Sequence, residues 1–80
     1  MSTTSLPSRT PSDYRPTDHF VDRKKSRDVP GWAIQEAIER GPVRRTGSGE
    51  IEARTETPGA RFGVVICPDE RAAITCYRID

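Results

Sequence analysis

The pair Gly41-Pro42 constrains the fold most, because the sequence pattern changes on either side of it. In the preceding segment, WAIQEAIER, apolar residues such as Ile34 and Ile38 recur at helical spacing. Proline cannot continue a helix, and a glycine just before it commonly ends one in the left-handed conformation. We therefore predict a helix that starts near residues 30–31 and ends at Gly41.

A shorter helix is predicted upstream. Thr17 offers an N-cap and Asp18 a first-turn acid, so a helix can run from there to about Arg27. Val29 precedes a proline, which favours an extended conformation and breaks the chain. Two short helices therefore come before any strand.

After Pro42, short segments compatible with strands are separated by turn residues. The segments are 43–45, 50–56, 61–67 and 72–79, with predicted turns at 46–49, 57–60 and 68–71. Helices followed by strands indicate an α+β fold. We predict two short N-terminal helices packed on a three- to four-stranded antiparallel sheet.

The turn positions also predict the strand register and the side of the sheet on which each residue lies. The predicted pairs are Ile51 with Ile66, Ala53 with Val64, Val64 with Thr75 and Phe62 with Tyr77. In this register Thr75 and Tyr77 lie on the apolar face, which the helices should cover, and Cys76 lies on the other face.

Residues 1–16 differ from the rest of the chain. They contain three prolines, several Ser and Thr residues and very few apolar side chains. Such a segment buries too little apolar surface to offset the entropy of ordering it. We predict a flexible, disordered tail over 1–16 and one domain over 17–80.

Charge is distributed unevenly along the 80 residues. The net charge is +1, yet residues 1–45 hold nine Lys/Arg against six Asp/Glu, whereas residues 46–80 hold four against six. The basic excess lies within the first predicted helix. That helix would place His19, Arg23 and Arg27 on one face, because they are spaced four residues apart. A basic face of this kind attracts polyanions, although it is also typical of ordinary solvated surface.

Several classes of protein are excluded by what the sequence lacks. No apolar run approaches the roughly 18 residues of a membrane span, and no signal peptide is evident. Cys67 and Cys76 are too few for a disulfide framework or a four-ligand zinc site. We therefore expect a cytoplasmic protein with no membrane association, no metal and no cofactor.

The pattern His19-x3-Arg23-x3-Arg27, the following Asp28-Val29, a helix ending at Gly41 and a last strand ITCYR resemble a known family. This family comprises small RelE-like domains of unknown function, grouped with the barnase, EndoU, colicin and RelE superfamily of ribonucleases. The resemblance covers roughly residues 17–80. The sequence departs from the family's pattern at residue 30, where proline stands in place of the frequent serine helix cap.

The resemblance implies a pair of helices on a small antiparallel sheet and, where a site is present, RNA cleavage without metal. His19, Arg23 and Arg27 match the family's opening His and Arg positions, and Thr75 and Tyr77 match the polar positions of the last strand. Fold alone does not confer the activity.

Metal-independent RNA cleavage needs a base, an acid and cations for the phosphate. His19 can serve as base or acid, and arginine binds phosphate through its fork of donors. Tyr77 can donate a proton or stack on a base, and Thr75 can orient His19 or the phosphate. The predicted catalytic residues are His19, Arg23, Thr75 and Tyr77. The predicted RNA-binding residues are Lys24, Lys25 and Arg27.

Two functions are consistent with the sequence. The first is a small RNA-binding domain, which could also cleave RNA as a toxin-like endoribonuclease. Its partners would be RNA and a cognate antitoxin or regulatory protein. The alternative is a non-enzymatic interaction or regulatory module acting through protein contacts, for example a homodimer formed at an exposed sheet edge. A histidine near a helix start is more often a capping or packing residue than a catalyst, which weighs against cleavage, but the RNA-binding domain is the leading hypothesis.

Overall fold

The computed structural model describes residues 4–55 and 60–79 and confirms an α+β fold. A 3₁₀ turn at Pro11–Asp13 leads into strand β1, Arg15–Pro16. Helices α1 and α2 follow at Asp18–Ser26 and Gly31–Arg40. The remaining strands are β2 at Val43–Arg45, β3 at Ile51–Arg54, β4 at Phe62–Cys67 and β5 at Ala72–Arg78. The predicted turn at 57–60 lies almost wholly outside the described residues.

Over the described residues the sheet contains five strands, in the order β1-β5-β4-β3-β2. Strands β2 to β5 form an antiparallel meander, whereas β1 pairs with β5 in parallel. The prediction of three or four antiparallel strands is therefore corrected to a mixed five-stranded sheet. The additional strand comes from a segment that was expected to be disordered.

The prediction of a flexible tail is wrong for residues 4–16, which pack on the rest of the domain. Leu6 and Tyr14 are buried, and the Tyr14 hydroxyl accepts a hydrogen bond from the Ser8 amide at 3.0 Å. Arg9 Nη1 donates to the carbonyl of Gly41 at 2.8 Å, and the Arg15 amide donates to that of Arg71 at 2.8 Å. Two buried side chains and these polar contacts compensate for a composition poor in apolar residues.

Helix α1 has well-defined ends. The Thr17 hydroxyl accepts a hydrogen bond from the Phe20 amide at 3.1 Å, which confirms the predicted N-cap. At the other end Asp28 adopts a left-handed φ of 52°. The Val29 amide reaches back to the Lys24 carbonyl at 3.0 Å, and the Val29 side chain is buried. This is the arrangement of a Schellman motif, and it turns the chain sharply into α2.

Gly41 ends α2 as predicted, but for a different reason. Its φ is −69°, so the expected left-handed conformation is absent. A Cβ atom at this position would lie 2.0 Å from the carbonyl oxygen of Arg54 and 2.6 Å from that of Ala37. Glycine is needed here because the end of the helix lies directly against the backbone of the last residue of β3.

A β-bulge changes the register of the last strand. The pairs Ile51 with Ile66 and Ala53 with Val64 are confirmed. Between Val65 and Ile66 the β4–β5 pairing shifts by one residue, because Ile74 is an extra residue in β5. Val64 therefore pairs with Cys76 instead of Thr75, and Phe62 pairs with Arg78 instead of Tyr77.

The bulge reverses the predicted sides of the sheet for the second half of β5. Cys76 is fully buried under the helices, and Thr75 and Tyr77 lie on the opposite face. The predictions for these three residues are thus wrong, since one extra residue moves every later side chain to the other side. The buried side chains of α2 and of the helix-facing side of the sheet form one core: Ala33, Ala37, Ile38, Ile51, Ala53, Phe62, Val64, Ile66, Ala73 and Cys76.

Candidate functional site

The structure divides the predicted site residues between two sides of the molecule. His19, Arg23, Lys24 and Lys25 lie on α1, and Arg27 is the C-cap of this helix, which packs on the core side of the sheet. Thr75 and Tyr77 lie on the other side of β5. A single cleft containing His19 and these two strand residues is therefore not formed.

Within α1, His19 and Arg23 lie together at the surface. Arg23 Nε approaches His19 Nε2 at 3.5 Å, which is at the limit of a hydrogen bond. His19 is exposed and Arg23 is half-buried. The predicted pairing on one helix face is thus observed, but without the strand residues that were expected to complete it.

Arg27 has a structural contact. Its Nη1 donates to the carbonyl of Cys76 at 3.2 Å and so ties the end of α1 to β5. Burial raises the pKa of the Cys76 thiol above its usual value, and the positive charges of Arg27 and Lys24 oppose this rise. Lys24 is half-buried, whereas Lys25 is exposed. The helix therefore places a positive charge beside the core as well as at the surface.

A second group of polar residues lies on the side of the sheet away from the helices, which we call the polar sheet face. Neither described helix packs on it. The strand pairing arranges its residues in two neighbouring rows that cross the strands. One row contains Arg44, Glu52, Val65 and Thr75, and the next contains Arg54, Gly63 and Tyr77.

Glu52 is the centre of this face. Its Oε1 accepts hydrogen bonds from Nε of Arg44 and Nε of Arg54, both at 2.8 Å. The Glu52 side chain is 4% exposed, whereas those of Arg44 and Arg54 are 66% and 38% exposed. Both arginines donate through Nε, so Oε1 of Glu52 accepts no hydrogen bond from the terminal nitrogens of either guanidinium group. One buried carboxylate thus holds two arginines in place with terminal donors left for another anion.

Tyr77 lies beside this cluster. A Cβ atom added to Gly63 would lie 2.7 Å from Cζ and 2.8 Å from the hydroxyl oxygen of Tyr77. The ring therefore extends over Gly63 toward β3, on which Arg54 occupies the adjoining position of the row. Tyr77 is half-buried, so part of its surface faces solvent. An aromatic ring and two anchored guanidiniums are thus neighbours on one surface.

The role of Glu52 was missed in the sequence, where it was only one charged residue of a mixed strand face. A signal was present nonetheless. If the Thr46–Gly49 turn closes a hairpin, Arg44 lies opposite Glu52, and Arg54 follows on the same side two residues later. The spacing of three charges across one hairpin could therefore have indicated the cluster.

Among residues 4–55 and 60–79, no group of three or more His, Cys, Asp or Glu side chains is arranged to hold a metal ion. Of the helices within those ranges, neither has the length and apolar character required to cross a bilayer.

Comparison with protein-family models, with curated proteins and with solved structures finds no match. The resemblance to RelE-like domains therefore stays a prediction that rests on the short motifs of the sequence. The fold and the polar sheet face define the chain only as a small α+β domain with two ion-paired arginines on one face of its sheet.

Proposed function

We propose that the protein binds single-stranded RNA on the polar sheet face. The observation that carries the proposal is the Arg44–Glu52–Arg54 cluster beside Tyr77 on a side of the sheet that neither described helix covers. Single-stranded nucleic acid is commonly bound by cationic groups for the backbone together with aromatic side chains for the bases. This face offers both within two adjacent rows.

The two arginines bind phosphate in this proposal. Holding both guanidiniums by Nε reduces the rotamer entropy that each would lose on binding a ligand. The terminal nitrogens can then donate to two oxygens of one phosphate or to neighbouring phosphates. Glu52 acts as a positioning residue, since its buried carboxylate fixes the arginines and is itself shielded from the polyanion.

Tyr77 stacks on a base. Its ring lies over Gly63, where the absence of a side chain leaves room for it. A base stacked on tyrosine gains roughly 1–3 kcal/mol and requires no particular base identity. We therefore expect the protein to bind RNA with little sequence preference, whereas an enzyme that recognises one base would show a clear preference.

The toxin-like endoribonuclease stays a prediction, and the geometry supports binding better than cleavage. His19 and Arg23 are separated from Thr75 and Tyr77 by the sheet, so these four residues do not surround one phosphate. The contact of Lys24, Lys25 and Arg27 with RNA likewise stays a prediction, as does an antitoxin partner. A cytoplasmic location also stays a prediction.

Pairing at a sheet edge is disfavoured. The edge strands β1 and β2 have two and three residues and contain Pro16 and Arg44-Arg45, respectively. Short edges that carry proline or charge discourage pairing with another strand. We therefore propose RNA in preference to a second copy of the chain as the partner.

Binding of a short, fluorescently labelled single-stranded RNA, measured by anisotropy over a salt series, tests the proposal. Arg44→Gln should weaken binding and reduce the slope of log affinity against log salt by about 0.7, since one phosphate contact is lost. Arg45→Gln is the matched control, because Arg45 has the same charge on the same strand but pairs with the core residue Ile51. Equal effects of the two variants would refute binding on this face.

Tyr77→Ala should weaken RNA binding about tenfold with little change in the salt slope, because stacking is lost and no charge is removed.

A separate experiment tests cleavage. The same RNA is incubated in excess chelator with the native protein or with His19→Ala. If the native protein cleaves the RNA and His19→Ala does not, the endoribonuclease function is supported. If the RNA stays intact in both samples, RNA binding without cleavage is supported.

A further inference from the structure

The core side of the molecule contains an apolar groove that the proposed RNA binding does not use. It lies between α1, α2 and the segment 11–16, has a volume of about 440 Å³ and is open to solvent. Its walls include Tyr14, Phe20, Val21, Ile34 and Ile38. Pockets for small molecules commonly have volumes of roughly 300–1,000 Å³, so this groove has the size of a ligand site.

Several residues that line the groove are held in fixed positions. Tyr14, Phe20 and Ile38 are buried and belong to the core, so their positions are fixed by packing on the side away from the groove. The Tyr14 hydroxyl is held by Ser8 and does not need a partner in the groove. Apolar surface of this kind favours an apolar ligand, because contact removes it from water.

Charge restricts the type of ligand. Among the described residues that line the groove, Lys24 alone is charged. Lys24 is half-buried, which fits an aliphatic stem lying along the apolar wall and an ammonium group at the rim.

We propose that this groove binds a small anionic amphiphile, namely a carboxylate carrying an aliphatic chain, with the chain between α1 and α2 and the carboxylate at Lys24. The apolar chain accounts for the lining, and the carboxylate complements the single cation. The site is on the opposite side of the sheet from the Arg44–Glu52–Arg54 cluster, so the two ligands do not compete.

Decanoate is the probe, and binding to the full chain is measured by calorimetry and by methyl chemical shifts of Val21 and Ile34. We expect saturable one-to-one binding, with uncharged decanol binding about fivefold more weakly because it lacks the ion pair. Lys24→Gln should bring the affinities for decanoate and decanol together. Equal affinities of the native chain for the two probes would overturn the proposal, as would the absence of saturable binding.

Gly31→Phe tests the location without relying on a core mutation. Gly31 lines the groove, and a Cβ atom there meets nothing within 4 Å, so a phenyl ring at this position fits beside the groove without disturbing the backbone. Decanoate affinity should fall more than tenfold. Gly47→Phe is the matched control, since Gly47 also has open space around it but lies in the β2–β3 turn.

Unchanged decanoate affinity of Gly31→Phe would place the ligand elsewhere and overturn the proposal. A concentration-dependent dimer of the native chain that Gly31→Phe dissociates would assign the groove to a second copy and would overturn it as well. Circular dichroism of each variant confirms that the fold is retained before binding is compared.

Discussion

The two sides of the sheet are built from alternate residues of the same strands, yet they differ in apolar content, charge and hydrogen bonding. The core side buries Ile51, Val64 and Ile66 under the helices. The polar sheet face carries an ion-paired carboxylate, two arginines and a tyrosine laid over a glycine. Charge and hydrogen-bonding donors are thus concentrated where no described helix packs.

This difference separates residues that maintain the fold from residues that are free to bind. On the core side any substitution changes packing, because interiors are dense. On the polar sheet face the exposed guanidiniums can be removed one at a time with little effect on the core. Variants on the two sides should therefore separate stability from RNA binding.

The largest expected effect distinguishes two neighbouring residues of β4. Ile66 is fully buried on the core side, so Ile66→Ala should lower the free energy of unfolding by about 3 kcal/mol. Val65 is half-buried on the polar sheet face, and Val65→Ala should cost about 1 kcal/mol or less. Urea denaturation of both variants measures the difference, and equal losses would contradict the assignment of the two faces.

The next effect concerns the buried carboxylate. Replacing both arginines, Arg44→Gln with Arg54→Gln, leaves Glu52 buried without its ion pairs and should cost about 2 kcal/mol, a value reduced because both arginines are partly exposed. Glu52→Gln removes the buried charge and should cost about 1 kcal/mol. If Glu52→Gln proves the more destabilising in thermal or urea unfolding, the arginines are not what stabilises the carboxylate.

A smaller effect tests the position of Tyr77. Gly63→Ala places a methyl group where the Tyr77 ring lies and should cost about 1 kcal/mol as the ring is displaced. In a Tyr77→Ala background the same substitution should be nearly neutral, because the obstructing ring is gone. A double-mutant cycle by urea denaturation measures the coupling, and additive losses would mean that the ring does not occupy this position.

The smallest effect is a pH dependence from the core side. Burial raises the pKa of the Cys76 thiol above its usual 9.0, so the unfolded chain loses this proton at a lower pH than the folded protein. The contribution of this thiol to the free energy of unfolding is therefore fully present below pH 9.0 and declines as the pH rises through the pKa of the folded state. Cys76→Ala should lose less stability than the native protein between neutral and alkaline pH, and urea denaturation at a series of pH values measures the difference. Parallel losses in the two proteins would contradict the burial of this thiol.

Much of the fold follows from local patterns. The apolar spacing of Ile34 and Ile38 predicts α2, and the turn residues predict the β3–β4 register, because each signal depends only on neighbours in sequence. The N-terminal strand could not be predicted in this way. Its partner, β5, lies far along the chain, and the buried side chains of Leu6 and Tyr14 are too sparse to form a pattern.

The candidate site was predicted less well, and a single residue explains much of the failure. Ile74 is an ordinary strand residue in sequence, but as the bulge it moves Thr75 and Tyr77 away from α1. Regular alternation cannot reveal a bulge, because an extra residue leaves local composition unchanged. The Glu52 cluster, by contrast, depends only on the β2–β3 hairpin, so charge spacing together with the hairpin register could have located it.

The parallel pairing of β1 with β5 has a consequence for the order in which the molecule assembles. Arg15 pairs with Ala72, so β1 cannot complete its contacts until β5, which follows it much later in the chain, has also been synthesised. Such distant pairings slow folding, since a long loop must close first. During that interval Tyr14 is exposed and one wall of the apolar groove is missing, which gives a nascent chain a surface that chaperones can recognise.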